Sequence, residues 1–113
     1  MKEFVLTEVD IERVNQAAKM IQDSLRSHFT IPQWAEKLKF PEKRLKRAFR
    51  EVHGMGMYTY LRRHRMEMAK EMLLDDKPIK AIILKIGYKS EGNFSKAFRK
   101  VSGHNPSEWK DRA

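Results

Sequence analysis

Residues 45–54 read LKRAFREVHG and residues 94–103 read FSKAFRKVSG. At an offset of 49, Ala48, Phe49, Arg50, Val52 and Gly54 meet Ala97, Phe98, Arg99, Val101 and Gly103, while Leu45 faces Phe94 and Arg47 faces Lys96. The match runs upstream at an offset of 48, as though one residue had been added in a turn: Ile31, Trp34, Leu38 and Phe40 meet Ile79, Ile82, Ile86 and Tyr88. A short helix, a tight turn and a second helix are thus written twice. Two copies are too few for a solenoid. The pattern is that of a tandem pair of helix-turn-helix units.

Working outward from the repeat, every segment carries helix signals and none reads as a strand. Thr7 and Asp10 make a capping-box start, and Ile11, Val14, Ala18, Ile21 and Leu25 follow at helical spacing, so a helix is expected over residues 8–27. Thr30-Ile31-Pro32-Gln33 opens a short helix with Ile31, Trp34, Ala35 and Leu38 inward, and Phe40-Pro41 ends it. In the first repeated helix, residues 42–52, the inward stripe is Leu45, Ala48, Phe49 and Val52. One long helix is expected over residues 57–74, with Tyr60, Leu61, Ala69, Met72 and Leu73 inward, Met66 and Met68 as core packing, and Arg62, Arg63 and Arg65 along its exposed side. This helix joins the two repeats and is expected to fix their relative orientation. Pro78 suits the first position of the next short helix, closed by Gly87 in a tight turn. Ser90 caps the second repeated helix, with Phe94, Ala97, Phe98 and Val101 inward, and Asn105-Pro106-Ser107-Glu108 opens a last short helix whose Trp109 covers the core. The expected organisation is a lead-in over 1–7, a first helix-turn-helix lobe over 8–56, a linker helix over 57–75 and a second lobe over 76–113.

Charge follows the repeat. Residues 1–40 hold six Lys/Arg and six Asp/Glu, so the whole net charge of +9 lies in residues 41–113, which contain both copies of the second helix. Lys43, Lys46, Arg47 and Arg50 stand at i, i+3, i+4 and i+7 on the face opposite the apolar stripe. Four cations on one stripe repel one another in an isolated helix and become favourable against an anionic partner. A basic surface concentrated on particular elements is the electrostatic footprint of a polyanion binder.

Other classes fit poorly. The chain has no cysteine, which excludes disulfides and thiolate metal or redox sites. His28, His53, His64 and His104 are scattered without a ligand spacing, so no metal site and no cofactor is expected. No nucleophile, base and orienting group come together, and there is no glycine-rich phosphate loop, so the chain does not read as an enzyme. No apolar run approaches the roughly 20 residues of a membrane span, and a soluble cytoplasmic protein is expected. A basic amphipathic helix at a membrane surface is physically possible, but the apolar faces are needed for the core of so small a chain. The alternative to nucleic-acid binding is a protein-interaction module on the same helical scaffold, with weak or non-specific DNA binding.

The segments LKRAFREVHGM, YLRRHRMEMAKEMLL and above all PIKAIILKIGYKSEGNFSKAFRKVSGHNPSEW resemble the DNA-binding domain of the AraC/XylS family of bacterial transcription regulators. Gly87-Tyr88, Phe94/Phe98/Arg99 and Gly103/Pro106 fill the family's late pattern. The resemblance implies an all-α fold of seven helices in two helix-turn-helix lobes, with both recognition helices in successive major grooves of double-stranded DNA, about 34 Å apart. It places base contacts on Lys43, Lys46 and Arg47 in the first lobe and on Glu91, Gly92, Asn93 and Lys96 in the second. Arg44, Arg50, Lys89 and Ser90 fall at DNA-backbone positions. RNA polymerase is implied as a further partner. Most members also carry an effector or dimerisation domain, so an effector or dimerisation domain is implied as missing from this chain, as a C-terminal piece of a longer protein, with a free-standing one-domain regulator as the alternative. Chemically, Arg47 suits guanine, Asn93 adenine and Glu91 cytosine N4. The first helix is therefore expected to supply more affinity and the second more selectivity. Three positions depart from the family pattern: Ile83 replaces a small alanine, Pro41 a polar cap, and Gly92 a position that often reads a base.

Overall fold

Capping chemistry decides where the helices of this chain start. In the computed structural model, which describes residues 3–113, Thr7 accepts from the Asp10 N–H and the Asp10 carboxylate accepts from the Thr7 N–H, opening α1 (Glu8–Asp23). Thr30 and Gln33 make the same reciprocal box at α2 (Ile31–Leu38). Pro41 precedes α3 (Glu42–His53) with no side-chain cap bond. The long helix α4 covers Met57–Leu74, and α5 (Ile79–Ile86) follows Pro78, which stands at the cap itself rather than at the first helical position. Ser90 accepts from the Asn93 N–H at the head of α6 (Glu91–Ser102), and Asn105 caps α7 (Pro106–Arg112). All seven are α-helices, with no strand among the described residues, as expected for two helix-turn-helix lobes joined by a long helix. Residues 1 and 2 of the expected lead-in lie outside the described part. Among the described residues no helix is long and apolar enough to cross a membrane.

The chain forms two compact units. The first runs up to Ser24 and from His28 to Leu61; the second takes Leu25–Ser27 and Arg62–Ala113. In the first, α1 packs on α2 and α3, and α2 on α3. Its core is Val14, Ala17, Ala18 and Ile21 from α1, Trp34, Ala35 and Leu38 from α2, and Leu45, Ala48 and Phe49 from α3, closed by Met57, Tyr60 and Leu61. Phe49 stands edge-on to Tyr60 with centroids 5.2 Å apart, and Trp34 lies 5.8 Å from Tyr58. In the second unit α6 packs on α5 and α7. Ile82, Ile86, Phe94, Phe98, Met66, Ala69 and Leu73 are buried, and Trp109 of α7 stands edge-on to Phe98 at 5.8 Å.

Four expectations are corrected. The first helix ends at Asp23 instead of Ser27. Leu25 and Ser27 turn their carbonyls to the Arg65 guanidinium, at 2.8 and 3.1 Å, which takes these residues out of the helix and into the second unit. Arg65 is accordingly buried, unlike Arg62 and Arg63. Burial lowers its pKa, and its guanidinium sits 5.6 Å over the Tyr88 ring, whose hydroxyl burial pushes up. Ile11 is exposed because the buried stripe of α1 begins one residue earlier, at Asp10. Val101, in the last turn of α6, is also exposed.

Gly87 shows why the turn between α5 and α6 needs glycine. Its φ is +89°, and a Cβ there would lie 2.8 Å from the Arg26 Cα. The Leu25–Ser27 segment therefore approaches this turn more closely than any side chain would permit.

Candidate nucleic-acid interface

The face of α3 opposite Leu45, Ala48 and Phe49 is set by the 3.6-residue period. Lys43, Lys46, Arg47 and Arg50 are all exposed on it and line one open groove with Tyr58 and Thr59 of α4. Glu51 is the one acid in that groove, 3.8 Å from Arg47 on the next turn. Both groups are at least half exposed, so the pair contributes under about 1 kcal/mol. The groove is therefore cationic and open, with a helix N-terminus (α3) that carries no side-chain cap.

Arg44 behaves differently from its four neighbours. Its Nε and Nη2 donate to Oδ1 and Oδ2 of Asp10, both at 2.6 Å, and Nη2 also reaches the Val5 carbonyl at 3.2 Å. Asp10 is 1% exposed, a carboxylate on the core-facing stripe of α1. The Arg44 hydrogen bonds, helped by Thr7, hold its pKa down to about 2 against the opposing push of burial. Reciprocally, the Asp10 carboxylate raises the pKa of Arg44. The bidentate pairing is the geometry for which guanidinium and carboxylate are matched. It ties α3 to the first turn of α1. The lead-in ahead of α1 meets α3 at Phe4, whose ring lies 5.1 Å from the Arg44 guanidinium and 4.7 Å from that of Arg47.

In the second unit, Lys89, Ser90, Glu91, Gly92, Asn93 and Lys96 are all exposed around the first turns of α6. Ser90 Oγ accepts the Asn93 N–H at 3.1 Å, so the hydroxyl is occupied as an acceptor and keeps its own hydrogen to donate. The Asn93 amide has no intrahelical task and faces solvent. Gly92 leaves a gap in the side-chain surface between Glu91 and Asn93. Sequence reading missed Tyr58, which is 52% exposed in the α3 groove, and the Asp10–Arg44–Phe4 cluster. Tyr58 had a faint signal: it stands out of phase between Met57 and Tyr60, both buried.

A helix-turn-helix domain family model matches residues 34–112, most of the chain. The chain belongs to the AraC/XylS family. Its similarity to the arabinose operon regulatory protein of Salmonella typhimurium is 31% identity over 100 residues, covering 87% of this chain and 36% of that protein. To the HTH-type transcriptional activator RhaR of Yersinia pseudotuberculosis it is 29% identical over 104 residues, 91% of this chain and 36% of that one. The chain thus spans about a third of the length of these relatives. Among solved structures, the C-terminal domain of AraT, a response regulator from Geobacillus stearothermophilus, superposes with a TM-score of 0.83 at 29% identity, covering 97% of this chain and 89% of that domain. The AraC/XylS architecture and the seven-helix order of this chain therefore agree over nearly its full length.

Proposed function

We propose that this AraC/XylS chain binds double-stranded DNA sequence-specifically in transcription regulation, with α3 and α6 as recognition helices in successive major grooves. The observation that carries the reading is the exposed stripe Lys43, Lys46, Arg47 and Arg50, held on a helix whose opposite face buries Leu45, Ala48 and Phe49. Lys43, Lys46 and Arg47 reach base edges from the first half of α3, and Arg50, one turn further on, takes phosphate. Glu91, Gly92, Asn93 and Lys96 line the base-facing side of α6, with Lys89 and Ser90 on the backbone. Arg44 braces α3 through Nε and Nη2, which donate to Asp10 and Val5, and its 39% exposed side chain keeps Nη1 for a DNA-backbone contact. No catalytic step is part of this function. In the cytoplasm, the parent protein adds a domain for an effector or for dimerisation and contacts RNA polymerase; the shorter span of this chain relative to its relatives supports that reading.

The test is selection from a random-sequence DNA pool with the purified chain at two salt concentrations. The expected result is two short motifs about ten base pairs apart, with an affinity that falls steeply with salt as phosphates are neutralised. Absence of binding at low salt would overturn the reading.

A further inference from the structure

The lead-in ahead of α1 lies outside both helix-turn-helix units of the repeat, yet it touches α3 at its most chemically informative residue. Phe4 is half-buried and presents its ring to two guanidiniums, Arg47 at 4.7 Å and Arg44 at 5.1 Å. Arg44 cannot follow Arg47 toward a ligand, because Asp10 holds it by two 2.6 Å bonds. Its Nη2 also donates to the Val5 carbonyl, which pins the lead-in backbone next to the ring. The result is a continuous path of contacts from the buried carboxylate through Arg44 and Phe4 to Arg47. We infer that Phe4 is a positioning residue for base reading, its ring fixing the plane of the Arg47 guanidinium. The inference rests on the DNA-binding reading above.

The chemistry of guanidinium makes the contact compatible with reading. A guanidinium stacked against an aromatic ring uses its face, while its donors lie in the plane and remain free for a bidentate contact to guanine. Stacking also removes rotamer freedom from a long side chain before DNA arrives, which lowers the ordering cost of binding. Glu51 competes for the same donors, but at 3.8 Å between exposed groups it restrains Arg47 weakly. The ring restrains the same guanidinium without consuming a donor.

The test uses the full chain with Phe4→Leu, Phe4→Trp and Arg47→Ala, and the double variant Phe4→Leu/Arg47→Ala. Leucine keeps apolar bulk and lacks the π face; tryptophan keeps the face. The DNA is the site that the wild type selects, together with single-base variants at the pair that Arg47→Ala ceases to discriminate. Phe4→Leu is expected to lower discrimination at that pair by about two- to five-fold, the worth of an exposed cation–π contact, leaving the other pairs unchanged. Phe4→Trp restores it, and in the Arg47→Ala background Phe4→Leu adds nothing. Without DNA, the Arg47 Nε–H resonance is expected to show a ring-current shift in the wild type that Phe4→Leu abolishes. A uniform loss across all pairs, a gain in affinity, or an effect that persists without Arg47 would overturn the inference while leaving DNA binding standing. Absence of the ring-current shift would do the same. A wild type that shows no sequence selectivity at all would overturn the inference together with the reading beneath it.

Discussion

The two copies of the repeated helix share the large buried residues of their inner stripe and, Arg50 and Arg99 apart, diverge on much of what faces outward. Phe49 and Phe98 are both fully buried at the same repeat position, as are Leu45 and Phe94. Around them, α3 follows a proline and carries no side-chain cap, while α6 follows Ser90 and is capped. On the outer face, Lys43 is replaced by Gly92, Lys46 by Ser95 and Arg47 by Lys96. The sharpest contrast is Arg44 against Asn93. In the first copy this position braces the helix to Asp10; in the second it is exposed. A duplicated motif can thus conserve the half of its surface that packing controls and reassign the half that it does not.

The comparison breaks most severely in the core. Phe49→Ala and Phe98→Ala are each expected to cost about 3–5 kcal/mol, seen in urea unfolding of each variant. A much smaller cost for one of them would show that the two copies do not share a core role.

The next effect concerns the brace that only α3 has. The pKa of Asp10 is depressed to about 2 in the folded chain, so its contribution is present above the unfolded carboxylate value and is lost as pH falls through about 2. Wild type is expected to be more stable than Asp10→Asn at neutral pH, with the gap closing between about pH 4 and pH 2. Urea unfolding of both proteins across that range measures it, and a constant gap would contradict the bonding described here.

On DNA, Arg47→Ala and Asn93→Ala are each expected to cost about 1–3 kcal/mol of discrimination at one base pair. Lys43→Ala is expected to weaken binding with a salt slope smaller by about one if it takes phosphate rather than a base edge. Titration of the selected site and its single-base variants separates these. If Asn93→Ala weakened all sequences equally, the assignment of greater selectivity to α6 would fail.

The smallest effect sharpens the capping contrast. Ser90→Ala is expected to cost about 1 kcal/mol, while Pro41→Ala removes no side-chain bond and stays within about 0.5 kcal/mol. Thermal melting of the pair reads the difference.

The helix starts were legible because capping is local. Thr7, Thr30, Ser90 and Asn105 each bond an N–H three residues on, and a three-residue pattern is visible in a sequence. The buried stripes of α3 and α6 were legible from their period. The end of α1 was not, because its final residues are drawn away by Arg65, about 40 residues downstream. Of the candidate site, the exposed cations stood where periodicity put them. The roles of Arg44 and Phe4 were hidden, since nothing near residue 44 indicates that a carboxylate 34 residues earlier is buried beside it.

By itself, the sequence determined the seven helices and the side-chain caps at Thr7, Thr30, Ser90 and Asn105, which follow from spacing within a few turns, together with the tandem repeat and the location of the positive charge. The tertiary structure decided which arginines serve the protein and which remain available to a partner. The reason is physical: an arginine side chain is long, permanently charged and equally at home in solvent, on a phosphate or against a buried acceptor. Its fate is set by what the fold brings within reach: Asp10 for Arg44, the Leu25 and Ser27 carbonyls for Arg65, and the open groove of α3 for Arg50.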